Sequence, residues 1–515
     1  MIKSDSGSTV SCWMDGVKMP ETTKLKKDIT TDVCIVGAGL AGITTAYLLQ
    51  KEGKKVVVLD KGPICGGETG RTTAHLSDAL DDRYSTLIKV HGEKGAILAA
   101  ESHAAAIDKI EEIVKKENID CDFQRLNGYL FLLPSDKEEE LDKELEATHQ
   151  IGYTEVLKLQ KNPIATLSDG PVLCFPEQGQ FHPTKYVAAL AQIILDNGGE
   201  IYTHSHVKGF ESGAVIRAET EDKHVVTANH LVVCTNTPVN DWVTMHTKQA
   251  PYRTYVIAYR IPHESVPAGL YWDNSDPYHY IRTLRGQAAE GKIDHDLLIV
   301  GGEDHKTGQE SNPEERFNCL NDWAKEHFPM IEKEEYRWSG QVMEPVDFMG
   351  FIGRNPADSK EVYIATGDSG HGMTHATIAG MLITDLVMKR TNPWEALYDP
   401  GRITLSAPSA TEFLRENLNV AAQYKEWVTP GDAPTADSLL PDSGCVIRKG
   451  TTKVAVYCDH EGKHHEHSAV CPHLGCIVNW NDVEKSWDCP CHGSRFSAMG
   501  KLLSGPALTD LGPAK

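Results

Sequence analysis

At 515 residues the chain is long enough for two or three domains, each with a core of its own. Its formal charge of −22 and pI near 5.5 argue against nucleic acid or an anionic membrane surface as a partner. No apolar run approaches the ~20 residues of a membrane span. Residues 1–7 hold neither an apolar signal core nor a twin Arg, so a cytoplasmic location is expected.

The first informative stretch is the apolar run at residues 32–36, followed by Gly37-Ala38-Gly39-Leu40-Ala41-Gly42. A helical pattern at 43–50 and a second apolar run ending at Asp60 complete a β-α-β unit. Glycines at this spacing permit a tight turn and let the backbone approach a pyrophosphate at the helix N-terminus. Asp60 stands where an acid accepts a bond from a ribose hydroxyl. A glycine triplet alone could be a plain turn; with strand, helix, strand and acid in register it predicts dinucleotide binding. The glycine- and hydroxyl-rich loop at 66–77, with Arg71, Thr72, Thr73 and His75, suits the larger cofactor, FAD.

Residues 93–116 and 136–149 read as two charged helices, suited to capping the flavin face. His182-Pro183-Thr184 opens another helix, and residues 252–261, 278–282 and 297–300 read as strands. Late in the chain a strand at 362–366 runs into Gly367-Asp368-Ser369-Gly370-His371-Gly372 and an apolar helix. That turn would place amides and a positive helix end where a reduced flavin carries negative charge. Residues 391–441 are rich in Pro, Asn, Asp and Ser and form the expected connection, with a helix at 410–426. A strand at 453–457 opens the last domain, and His464, His465 and His467 are expected at a solvated hairpin tip.

The C-terminal fifth carries Cys471-Pro472-His473-Leu474-Gly475-Cys476 and Cys489-Pro490-Cys491-His492-Gly493-Ser494. The order C-x-H … C-x-x-H suits a [2Fe–2S] cluster with one iron on thiolates and the other on imidazoles. The expected ligands are Cys471, His473, Cys489 and His492. A tetrahedral zinc site is the alternative, but zinc pairs read C-x2-C and H-x3–5-H, whereas each half here mixes one Cys with one His.

These boxes, with Gly505-Pro506-Ala507 behind them, resemble the Rieske family. In its cytochrome-complex branch the remaining Cys pair clamps the ligand loops, which implies a Cys476–Cys491 disulfide here. The same resemblance implies that Ser494 donates a hydrogen bond to a bridging sulfur of the cluster, which raises its potential. Phe496 stands where that branch often has Tyr, implying a potential in the lower or middle part of roughly −150 to +300 mV.

Residues 30–390, through the glycine turn, Val232-Val233-Cys234-Thr235-Asn236 and the 362–374 segment, resemble the D-amino-acid oxidase and glycine oxidase family of FAD enzymes. By that resemblance Gly37, Gly39, Gly42 and Asp60 contact the ADP half. Arg71, Thr72 and Thr73 line the flavin's approach, and Gly370, His371 and Gly372 its pyrimidine edge. His75 falls near the place where some relatives attach FAD covalently; an ordinary hydrogen-bonding role is expected instead. Arg253, Tyr255, Tyr280, Arg282 and Arg354 are candidate substrate contacts, since Arg holds a carboxylate bidentately. Arg282, at the end of a Tyr-rich strand, leads them, and Arg282, Tyr280 and His371 are the candidate catalytic residues.

The expected architecture is an α/β, Rossmann-like FAD-binding domain (about 28–90, 150–235 and 340–390) interleaved with an α+β substrate domain (about 91–149 and 236–339). A helix and linker at 396–440 lead to an all-β Rieske domain at 441–515. The expected function is an FAD-dependent dehydrogenase of a small amine or amino acid, passing electrons singly through the cluster to an external acceptor. An NAD(P)H-driven reductase is an alternative, though Gly301-Gly302 and Gly367-Asp368-Ser369-Gly370 do not supply the second dinucleotide motif it would need. A non-turnover redox sensor is another. A Rieske oxygenase would need a two-His, one-carboxylate iron site, and His204 and His206 have no suitably placed acid.

Overall fold

Ile29–Val36 forms the centre of a parallel sheet because its second half is apolar at every position and covered on both faces. The strand order is Phe351–Arg354, Val362–Thr366, Val225–Val233, Ile29–Val36, Val56–Leu59, Glu200–Tyr202; the first pair is antiparallel and the rest parallel. Helix Leu40–Lys51 packs against Gly372–Val387 and Pro183–Asp196. This computed structural model describes residues 6–133, 136–239, 245–286, 294–356 and 358–514. Residues 1–5 and 515, the ends of stretches discussed above, lie outside it.

A second sheet of nine strands is built around the long Gln249–Pro262, flanked by Lys333–Pro345 and His295–Lys306. It continues through His279–Arg285, Leu270–Trp272, Gln124–Phe131, Val172–Gln180 and His75–Leu76. Two expected boundaries therefore move. Val172–Gln180 and Lys333–Pro345 pair within this sheet, although residues 150–235 and 340 onward were expected in the FAD-binding part. The charged helices are Tyr84–Glu117, kinked at Gly92, and Glu138–Gln150.

The C-terminal domain has two small antiparallel sheets. One joins Ser443–Lys449, Thr452–Cys458 and His464–Ser468; the other joins Asn479–Asn481, Ser486–Asp488, Arg495–Ser497 and Leu502–Ser504. The three expected hairpin-tip histidines instead sit within a strand, and His465 Nε2 lies 2.7 Å from Asp459 Oδ2.

Two straps hold this domain to the rest. The connection folds as helix Ala407–Gln423, whose Glu416 is gripped by Tyr252 Oη (3.1 Å) and Lys306 Nζ (2.6 Å). The N-terminal strap crosses between the domains: Thr9 N donates to Glu484 at 3.1 Å, Arg495 Nη1 to the Ser6 carbonyl at 2.5 Å, and Trp13 is wholly buried. Beneath it Arg71 and Glu484 form an ion pair at 3.0 Å, with Arg253 3.7 Å from the same carboxylate and all three side chains fully buried. No helix among the described residues is long and apolar enough to cross a membrane.

Candidate active site and cluster centre

The glycine turn packs too tightly for side chains. Gly37 has φ +111°, where an L-residue is strained, and a Cβ there would strike the Cys234 carbonyl. A Cβ on Gly42 would run into the Gly37 carbonyl. Gly39 caps Leu40–Lys51; the Leu40 N–H donates to Thr69 Oγ1 at 3.0 Å, and the helix start stands in the wall of an open space. That space is a cavity of about 300 Å³ lined by Gly37, Gly39, Asp60, Arg71, Thr72, Thr73, Gly370, His371 and Gly372. Asp60 stands in its wall while accepting the N–H groups of Ala38 (2.6 Å) and Gly62 (2.8 Å). A glycine cradle, a helix N-terminus and an acid at the second strand fit the ADP half of FAD.

His371 is the residue before helix Gly372–Val387, and its Nε2 accepts the Asp81 N–H at 3.0 Å, which leaves its ring proton on Nδ1. Burial holds this imidazole below the usual histidine range. Tyr280 also lines the cavity, its Oη 2.6 Å from Thr254 Oγ1 and its ring 5.4 Å from that of Tyr278. His75 Nδ1 lies 3.0 Å from Thr73 Oγ1, and burial pushes the ring down to about 3.

The arginines go elsewhere. Arg282 is fully buried outside the lining; its Nη1 donates to the carbonyls of Thr73 (3.1 Å) and Ala74 (2.8 Å), and its guanidinium lies 5.3 Å over Trp13. It ties the N-terminal strap to the 73–74 turn, so its expected role as a carboxylate clamp is corrected. Arg253 donates to Ser339 Oγ at 2.5 Å beside Glu484, Tyr255 Oη is 2.9 Å from His305, and Arg354 pairs with Glu395 at 2.7 Å. None of these lines the cavity. Arg71 does, but its guanidinium reaches the interdomain Glu484.

The cluster loops meet at the domain boundary. Cys476 and Cys491 form the disulfide. The sulfurs of Cys476, Cys489 and Cys491 lie within 4.8 Å of one another, but the bonded pair has no thiolate to offer, which leaves Cys471 and Cys489. The His473 and His492 rings stand edge to face at 5.0 Å, and burial pushes His492 down to about 3, the neutral form a metal ligand needs. Two thiols opposite two imidazoles fit a Rieske cluster. The Ser494 side chain bonds the Cys471 sulfur, and Phe496 is fully buried.

A donor to a ligand sulfur favours the reduced, more negative cluster. Ser494→Ala is therefore expected to lower the midpoint potential. A charge-assisted bond of about 1.5 kcal/mol corresponds to roughly 60 mV for one electron. A redox titration showing no downward change would remove this role for the hydroxyl.

Three contacts that no motif announced join the two centres. Gln341 lines the cavity, and its Nε2 donates at 3.2 Å to the carbonyl of Gly493, next to His492. Leu502, Leu503, Ser504, Gly505 and Ala507 of the C-terminal domain complete the cavity wall. The buried His246 ring lies 5.0 Å from His473 and 6.1 Å from His492. On the other side Tyr424 Oη and Trp427 Nε1 hold the Leu474 and Gly475 carbonyls at 2.7 and 3.0 Å. A glutamine and a histidine in ordinary strand and turn sequence carry no local signal of such roles.

Comparison with known proteins agrees with this geometry. The FAD dependent oxidoreductase family (DAO) matches residues 32–386, and the Rieske [2Fe-2S] domain matches 433–513. The chain is 31% identical to the putative Rieske 2Fe-2S iron-sulfur protein YhfW of Bacillus subtilis, covering 97% of this chain and 96% of that one. It is 28% identical to gamma-glutamylputrescine oxidoreductase of Escherichia coli, over 77% of this chain and 95% of that one. The fold matches glycine oxidase from Geobacillus kaustophilus with a TM-score of 0.59 at 18% identity, over 73% of this chain and 99% of the other. The chain belongs to the FAD dependent oxidoreductase family and carries a Rieske [2Fe-2S] domain at its C-terminal end.

Proposed function

We propose that the protein is a dehydrogenase of a small amine or amino acid whose electrons leave the cavity through its own Rieske domain to an external one-electron carrier. The observation that carries this reading is Gln341, one side chain that lines the cavity and hydrogen-bonds the residue next to cluster ligand His492. The names of the amine- and glycine-oxidising relatives support the substrate class.

When bound, FAD supplies a two-electron acceptor and the cluster a one-electron carrier, so the pair converts one substrate oxidation into two single-electron departures. The substrate carbon loses a hydrogen with its electron pair and becomes an iminium, which water then hydrolyses. The chain's part is positional. The glycine turn seats the pyrophosphate, His371 and Tyr280 shape the reacting end, and the Leu502–Ser504 strand closes the wall. We also place the protein in the cytoplasm, because only Cys476 and Cys491 of its thirteen Cys are bonded.

Anaerobic rapid mixing with amines and amino acids tests the relay. Flavin bands are expected to bleach first and cluster bands next, at a rate independent of protein concentration, because the fused domain acts at high effective concentration. A cluster rate that rises in proportion to protein concentration would refute internal transfer. Bleaching by NADH or NADPH alone would give the role to a reductase.

A further inference from the structure

We infer that the substrate end of the cavity selects an amine cation with no carboxylate beside the reacting carbon. This deepens the dehydrogenase reading and rests on it for the location of the reacting end. Among the described residues lining the cavity, the only lysine and arginine are Lys61, next to Asp60 at the glycine turn, and Arg71, which is committed to Glu484. Arg282, Arg253 and Arg354 stand outside the lining, the first two buried with their Nε and Nη2 unbonded. An α-amino acid would bring a carboxylate to a wall with no cation to meet it, at the cost of desolvating that charge.

The same wall holds an acid, and more lie behind it. Asp81 lines it beside His371 and Tyr278. Immediately behind, Asp82 and Glu344 share the Ser369 hydroxyl at 3.0 and 2.8 Å. Asp304 lies behind Thr254, and its buried Oδ1 has no hydrogen-bond partner. Arg83, next in the chain to Asp82, sends its guanidinium to Asn274 and the Asp273 carbonyl instead. Burial first, and repulsion from Asp81 next, push Asp82 and Asp304 up to about 7, so they are partly protonated near neutral pH and a nearby ammonium would favour their charged form.

The aromatic residues agree. Tyr278, Tyr280 and Trp272 line this end, and an ammonium with its alkyl chain packs well on such faces. Trp272 is 5% exposed, and its buried indole Nε1 has no hydrogen-bond partner. A carboxylate in the wall, further acids behind it and aromatic faces in one cavity describe a site for an aminoalkyl compound.

The test uses two probes of nearly equal size that lack an α-hydrogen and cannot be oxidised: tert-butylamine and 2-aminoisobutyrate, which differ by one methyl-to-carboxylate exchange. Each is titrated into the flavin-loaded protein, with the shift of the flavin bands and calorimetry as readouts. The amine is expected to bind about 10-fold tighter or more, the size of one charge-assisted contact. Asp81→Asn is expected to weaken the amine about 10-fold while leaving 2-aminoisobutyrate within twofold. Equal or tighter binding of 2-aminoisobutyrate, or no response to tert-butylamine, overturns the inference, and this comparison needs no variant. If tert-butylamine binds but 1-butylamine leaves the flavin oxidised, the cation site stands and the dehydrogenase reading falls.

Discussion

Replacing Glu484 with Ala is expected to destabilise the protein by about 3–5 kcal/mol, because it strands two buried guanidinium groups. Glu484 comes from the Rieske domain, Arg71 from the cavity wall and Arg253 from the substrate sheet, and Thr9 of the N-terminal strap bonds the same carboxylate. Burial pushes this carboxyl up, but Arg71, Arg253 and Arg495 outweigh it and hold it at about 2. With an unfolded value near 4.5, the depressed folded value contributes about 3 kcal/mol above that pH. The contribution is lost as pH falls from 4.5 toward 2. Glu484→Gln, which keeps the shape but not the charge, should flatten the stability profile in that window. Denaturant titrations at pH 7 and across pH 2–5 measure both effects. A loss under about 1 kcal/mol for the Ala variant would mean that the ion pair does not hold the domains together.

Such a variant should also separate docking from folding. The Rieske domain has its own apolar core around Trp487, Phe496 and Val478, independent of the salt-bridge network. Partial release would therefore expose the boundary near Gln341 and the Leu502–Ser504 strand before either cofactor site is lost. The docked arrangement thus depends on a buried charge network that reaches the cavity wall through Arg71.

What was legible in the sequence was local. Cys471 and His473 lie two residues apart, as do Gly37 and Gly39, so the spacing of neighbours encodes the loop that presents them. The disulfide followed from the Rieske resemblance. The arginines were misread because strand alternation places a side chain on a face but does not say what covers that face. Arg282 points at Trp13, a residue in a short apolar turn with no periodicity to announce it. The N-terminal strap was invisible for the same reason: Thr9 and Glu484 are 475 residues apart. Val172–Gln180 is apolar only in its first four residues, and its register with Gln124–Phe131 is what assigns it to the substrate sheet. The acidic patch behind Tyr278 draws on residues 81, 82, 304 and 344, which converge only in the fold.

Gly42→Ala should abolish stable flavin binding while sparing the cluster. Gly42 lies in the first turn of Leu40–Lys51, where an added Cβ would collide with the Gly37 carbonyl and crowd Ile35 Cγ2. The added methyl would meet backbone rather than a flexible side chain, so the helix start must retreat from the glycine turn. That turn and the helix end together form the anion site, and its amides lose their aim if they separate. A loss of about 3 kcal/mol in binding would weaken FAD by roughly 100-fold. The expected result is a purified chain with under a tenth of the wild-type flavin and an unchanged iron content, since Cys471, His473, Cys489 and His492 stand on two loops between strands of the C-terminal domain, apart from the glycine turn. His473→Cys should give the reverse, with full flavin and altered cluster spectra. Full flavin in Gly42→Ala would show that the turn can yield, and that the close approach of helix to turn is not what seats the cofactor.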